Sequence, residues 1–338
     1  MNVRITRFAL AEAICAGWVV FICAHLQAQN LFVTEYGSSN IYEFTPAGVR
    51  STFASVPNYT GELAFDNMGN LFAGCDGDSN IYEFSPGGVR GTFASGLNTP
   101  YGMAFNSAGN LFVAEFKYID EFTPVGLKST FASDIGRVIG LAFNSAGNLF
   151  AAGNLGGYIY QISPDGVVSN FVVLTNGIWW EYPYGLAFNG AGDLFVTDNY
   201  YGNIYEVAPN GTVSTFASGL NGPAVLAFDG KGNLFVADAG SGNIYEFAPD
   251  GTRSTFASGL NGPNGLAFQP VPQLQVATTG GSLQLSVAMP SPYYSTIIQI
   301  STNLMDWVNV YTNTPPFTFT NSMVTTLPSC FYRAVLGP

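Results

Sequence analysis

Between residues 30 and 268 the chain is written in apolar runs of four to six residues, each closed by Gly, Pro, Asn or Asp. Four runs recur in a set order, spelled GLAF, NLFVAD, NIYEF and STFAS in the clearest copies. None has the length or the helical spacing of an amphipathic helix, so each predicts a short strand. The phenylalanine of the LF step recurs at Phe32, Phe72, Phe112, Phe150, Phe195 and Phe235, at intervals of 40, 40, 38, 45 and 40 residues. That of the LAF step recurs at Phe65, Phe105, Phe143, Phe188, Phe228 and Phe268. Four strands per unit and a period near forty predict an all-β fold, a six-bladed β-propeller. The runs are almost wholly apolar because neighbouring blades cover both faces of each small sheet. The first unit lacks its own GLAF, and Gly265–Phe268 is a GLAF with no unit after it. The C-terminal strand is therefore expected to complete the N-terminal blade, closing the ring and removing two free edges.

The same spacing places charge. Counting back from four-residue turns such as TPAG sets Glu43 opposite Arg50, Glu83 opposite Arg90, Glu121 opposite Lys128 and Glu246 opposite Arg253. In the fourth unit both charges are missing together (Gln161 and Val168), and only Glu206 faces an apolar residue, Val213. These glutamates read as cross-strand structural partners rather than catalytic groups.

Composition narrows the class. Of 338 residues, 47% are hydrophobic and 9% charged, enough apolar material for a large core. A net charge of −12 repels phosphate backbones and excludes nucleic acid as a partner. Residues 1–28 differ from the rest: Arg4 and Arg7 precede the run ALAEAICAGWVVFICA, and Ala28 is a small residue at a cleavage position. This segment reads as a signal peptide, which implies a secreted or periplasmic, cell-envelope location and no membrane attachment after cleavage, with an uncleaved membrane anchor as the alternative. Cys15, Cys23 and His25 leave with it, so the mature chain keeps Cys75 and Cys330 and no histidine. Histidine-dependent triads and histidine-ligated metals are thereby excluded. Residues 29–270 form the propeller, and residues 271–338 read as alternating strands of a small immunoglobulin- or fibronectin-like β-sandwich with Trp307 in its core. A monomer is expected.

The motifs PNGLAF, GNLFVAD and GNIYEFAPDG resemble NHL-repeat propellers and the gluconolactonase and senescence-marker-protein family of the TolB-like superfamily, over residues 30–268. The resemblance implies the fold strongly and function weakly. Lactonases of that family hold one divalent cation through a Glu, two Asn and an Asp near the starts of the innermost strands. Those starts are Gly61, Tyr101, Ile139, Tyr184, Ala224 and Asn264 here, and only Asn264 matches; strand alternation should turn the neighbouring Glu62 away. Streptogramin-lyase propellers are also similar in sequence, but their chemistry depends on histidine. No cofactor is expected beyond a possible divalent cation.

Candidate binding residues gather on one face of the ring. The second strands end at Glu35, Cys75, Glu115, Gly153, Asp198 and Asp238. Those four carboxylates either bind a cation or a sugar, or satisfy loop amides. The 45-residue interval carries an insertion, TNGIWWEYPYG, with Trp179, Trp180 and Tyr182. Together with Tyr101, Tyr184 and Asn264 they make a candidate ligand-binding surface; the alternative is that the tryptophans plug the channel or pack between blades. The expected function is a non-enzymatic binding or scaffold protein for a protein or polysaccharide, with a metal-assisted lactonase or hydrolase as the alternative.

Overall fold

The computed structural model describes residues 29–57, 60–153, 156–175 and 182–270, and, as backbone strands only, parts of 9–24 and 273–336. Residues 29–66 and 71–269 form one compact unit, and residues 1–28, 67–70 and 270–338 a second.

The first unit is a six-bladed β-propeller. Each blade is a four-stranded antiparallel sheet, as in blade 2: Thr60–Phe65, Leu71–Cys75, Asn80–Phe84 and Arg90–Ala94. Blades 3 to 6 have innermost strands Met103–Phe105, Val138–Phe143, Pro183–Phe188 and Pro223–Phe228. Blade 1 is assembled from both ends: Pro263–Phe268 pairs with Leu31–Glu35 in the register Pro263↔Glu35 and Phe268↔Leu31. Ring closure by the last strand is thus as the repeat phase requires. Innermost strands start, and second strands end, on the same face, called here the mouth face.

One aromatic motif of three phenylalanines is repeated six times and uses 18 of the 28 phenylalanines. Phe32 of the second strand lies edge-on to Phe53 of its own outer strand (4.9 Å) and to Phe65 of the next blade (5.1 Å). Phe235 repeats the pattern with Phe256 and, across the closure, Phe268. Each T-shaped pair adds about 0.5–1.5 kcal/mol to the burial of its rings. Buried threonines add polar links: Thr34 Oγ1 accepts from Gly265 N (2.8 Å) and donates to Gly61 O (3.1 Å), joining blades 1 and 2.

The outer hairpins differ from the simple count. Phe44, not Glu43, faces Arg50, and Glu43 faces Ser51. The turn is closed by Thr45 N to Val49 O (3.0 Å), with Gly48 at φ 77°, so one residue more than expected lies between the strands. This is a glycine bulge, and it moves the pairings next to the turn by one. The expected Glu–Arg pairs do not form. Arg50, Arg90 and Arg253 instead stack on the diagonal Tyr42, Tyr82 and Tyr245 at 4.9–5.0 Å. Glu43 accepts from Asn30 Nδ2 (2.6 Å) and Glu121 from Asn110 Nδ2 (2.7 Å). In blade 3 Asp120 stands where the tyrosine would be, and Lys128 pairs with it and with Glu115, both at 2.7 Å.

In the second unit, Ala9–Cys15 and Trp18–Ala24 form a hairpin whose second strand runs parallel to Phe331–Leu336. That sheet continues through Thr296–Ser301 to Val308–Asn313, and a three-stranded sheet joins Gln273–Thr279, Ser282–Ala288 and Phe317–Asn321. Among the described residues, six strands follow residue 270. The side chains on which a sandwich core would rest, Trp307 included, lie outside the described residues.

Candidate functional site at the mouth of the ring

Residues from all six blades converge on the axis of the ring at the mouth face. Glu62, Tyr101, Ile139, Gly140, Tyr184, Val225 and Asn264 line a cavity of about 10 Å³, room for a single water. Tyrosines from alternate blades meet there. Tyr184 Oη (blade 5) donates to Asn264 Oδ1 (blade 1, 3.1 Å) and lies 3.3 Å from Tyr36 Oη (blade 1). Tyr101 (blade 3) also bonds the Tyr36 hydroxyl, and its ring carries the Arg137 guanidinium at 5.1 Å. Burial, then the neighbouring hydroxyl, pushes Tyr101 up to about 12 and Tyr184 well above the phenol range. Both therefore stay neutral hydroxyls.

Glu62 joins this cluster, contrary to simple alternation. The innermost strand carries one extra residue: Thr60 pairs with Cys75 but Leu63 with Ala73, and the same irregularity recurs in blades 1, 4, 5 and 6. A bulge breaks the two-residue period, so adjacent positions both reach the axis. The signal was present in the aligned starts. Four blades hold Gly102, Gly140, Gly185 and Gly265 at the Glu62 position, where an added Cβ would lie 2.1–2.7 Å from the nearest atom of an adjacent strand. Glu62 and Val225 depart from that column. Glu62 Oε2 accepts from Met103 N (2.8 Å), and burial raises its carboxyl to about 8 despite that bond. At neutral pH it is a protonated acid.

The four second-strand carboxylates are 4% exposed or less and turn into their own loops. Glu35 accepts from Asn261 N (3.0 Å) and Ser38 Oγ (2.7 Å), and Glu115 from Asn98 N (2.6 Å) and Lys128 Nζ (2.7 Å). Asp238 accepts from Asn221 N (2.7 Å) and Ser241 Oγ (2.5 Å). Asp198 Oδ1 takes three amides, those of Tyr182 (3.3 Å), Tyr200 (3.1 Å) and Tyr201 (3.2 Å). Each acid anchors the loop that enters the innermost strand of its blade. Cys75 holds the equivalent place in blade 2, and burial pushes its thiol up to about 12. Trp179 and Trp180 lie outside the described residues. Tyr182 is exposed, with its ring centroid 5.4 Å from that of Tyr200, which lies 4.9 Å from Tyr201.

The donor set does not fit a hard cation. Among the described residues, only one carboxyl and one amide, Glu62 and Asn264, converge on a one-water cavity, whereas such ions take six or more oxygens. The carboxyl holds its proton at neutral pH, and the amide oxygen already accepts from Tyr184.

Comparison with known proteins finds the same fold. The chain is similar to streptogramin B lyase (16% identity, TM-score 0.58, covering 84% of this chain and 95% of that one). It is similar to a chain of a nidogen/laminin complex (18%, 0.63, 72% and 98%) and to virginiamycin B lyase from Staphylococcus aureus (12%, 0.56, 84% and 97%). No protein-family model and no curated protein sequence matches the chain. Identities of this size establish a shared propeller and nothing finer.

Proposed function

We propose that this chain is a secreted, non-enzymatic binding propeller whose mouth face takes a protein or polysaccharide ligand. One observation carries the reading: the exposed large apolar side chains of the propeller unit are sorted by face. Tyr36, Phe116, Tyr118, Tyr158, Tyr182, Tyr200 and Tyr201 sit in mouth-face loops or at strand ends there. Val49, Val89, Val125, Leu127, Val167 and Val213 belong to the opposite face, and among the described residues only Val173 lies with the aromatics. Flat amphipathic rings give contact area at small entropic cost, which suits recognition. A structural neighbour comes from a nidogen/laminin complex, which supports binding as a use of this fold. Residues 1–28 motivate the extracellular location, and N-terminal sequencing of the exported protein checks it.

The test compares faces. The full chain is incubated with extracellular polysaccharide and with secreted protein, as wild type, as Tyr118→Ala/Tyr200→Ala, and as Val125→Ala. Retention lost only in the tyrosine variant supports the reading. Retention lost only in Val125→Ala, or turnover of a sugar lactone by the purified chain, overturns it.

A further inference from the structure

Six copies of one loop provide an internal control. The loop after the second strand reads Asp198-Asn-Tyr-Tyr-Gly-Asn203 in blade 5 and Asp238-Ala-Gly-Ser-Gly-Asn243 in blade 6. The two share one backbone. Gly202 N and Gly242 N return to Asp198 O (3.1 Å) and Asp238 O (3.0 Å). Both glycines have positive φ, 71° and 69°, and both accept at O from a leucine amide, Leu220 or Leu260, at 3.0 Å. Blade 6 makes this turn from Ala239, Gly240 and Ser241, so the turn itself needs no aromatic residue. Tyr200 is nevertheless placed there with 72% of its surface exposed. Asp198, fully buried, clamps the amides of all three tyrosines through one oxygen. The rings are therefore held on a fixed backbone.

We propose that Tyr182, Tyr200 and Tyr201 form a stacking site for an uncharged polysaccharide chain; this rests on the mouth face being the binding face. The patch is aromatic and polar but carries no exposed charge on its described loop: Asn199 and Asn203 flank the rings, and Asp198 is buried. A neutral surface complements this described loop. Pyranose rings offer that surface, with apolar C–H faces to stack and hydroxyls to hydrogen-bond with phenols. A protein partner is matched less well. Protein hot spots combine aromatics with arginine at a well-packed apolar centre, and among the described residues the exposed aliphatics of this unit lie almost entirely on the opposite face.

The test is affinity electrophoresis of the full chain in native gels containing neutral polymers (hydroxyethyl cellulose, xylan, glucomannan, mixed-linkage β-glucan) or anionic polygalacturonate, at low and high salt. The blade-6 loop is grafted into blade 5 as Asn199→Ala/Tyr200→Gly/Tyr201→Ser, with its melting temperature checked against wild type. Tyr200→Phe keeps the ring and removes the hydroxyl. At least one neutral polymer should retard wild type independently of salt, with affinity about tenfold weaker in the graft and largely kept in Tyr200→Phe. No retardation by any neutral polymer, or equal retardation of wild type and graft, overturns the proposal. Retention of a secreted protein that the graft abolishes, with no neutral polymer bound, overturns the glycan and leaves the mouth face as the binding face. Retention lost in Val125→Ala but kept in the graft overturns both.

Discussion

Replacing Glu62 by glutamine should stabilise the propeller, by an amount that grows with pH. The carboxyl titrates near 4.5 in the unfolded chain and near 8 in the folded one, with burial as the cause. Below pH 4.5 both states hold the proton, and the acid carries no penalty. Above it the unfolded chain ionises while the folded chain does not, so folding takes up a proton and stability falls by up to about 1.36 kcal/mol per pH unit. The loss continues through the folded value near 8 and then levels off. At pH 7 it amounts to about 3 kcal/mol, and by pH 9 to about 5 kcal/mol. The substituted amide would keep an oxygen to accept from Met103 N, as the carboxyl does at 2.8 Å, and has no proton to lose. At about 2–4 °C per kcal/mol, Glu62→Gln should melt ~6–12 °C above wild type at pH 7 and match it near pH 4. Thermal melts of both proteins from about pH 4 to pH 9 measure this. A difference that stays constant with pH, or a variant less stable throughout, would refute a buried, protonated Glu62.

Other expectations follow from contacts on the same ring. Thr34→Val removes the link between Gly265 N and Gly61 O and leaves two buried groups unpaired; chemical denaturation should show a loss of about 2–5 kcal/mol. Gly102→Ala sets a Cβ 2.1 Å from Ile139 O and should prevent soluble expression, whereas Gly61→Ala meets nothing closer than 3.6 Å and should fold. Lys128→Met strands Glu115 and Asp120 and should cost about 2–4 kcal/mol, reduced because the lysine is partly exposed, while Arg90→Met removes a ring contact worth at most about 1 kcal/mol. Equal costs in the two variants would restore the simple hairpin register. Addition of Ca²⁺ or Mg²⁺ after EDTA should leave the melting temperature unchanged; a saturable rise abolished by Asn264→Ala would put a cation at the axis.

The repeat, its four strands and the borrowed closing strand are all legible in the sequence, because each depends on local periodicity and on counting. A run of four apolar residues between Gly and Asn has few other uses, and a unit that lacks its first strand must find it at the other terminus. The loop role of Asp198 and Asp238 was also within reach, since aspartate before a glycine turn commonly satisfies amides. What escaped the sequence depends on single residues of register and on distance through space. Glycine bulges in the outer hairpins set arginine on tyrosine instead of opposite glutamate. A bulge in the innermost strand of blade 2 turned Glu62 toward the axis. The convergence of Tyr36, Tyr101 and Tyr184, separated by up to 148 residues, exists only because the ring closes. Periodicity along the chain determines which strands form, but only the closed ring decides which side chains share its axis, because a bulge changes facing without changing the pattern of apolar runs.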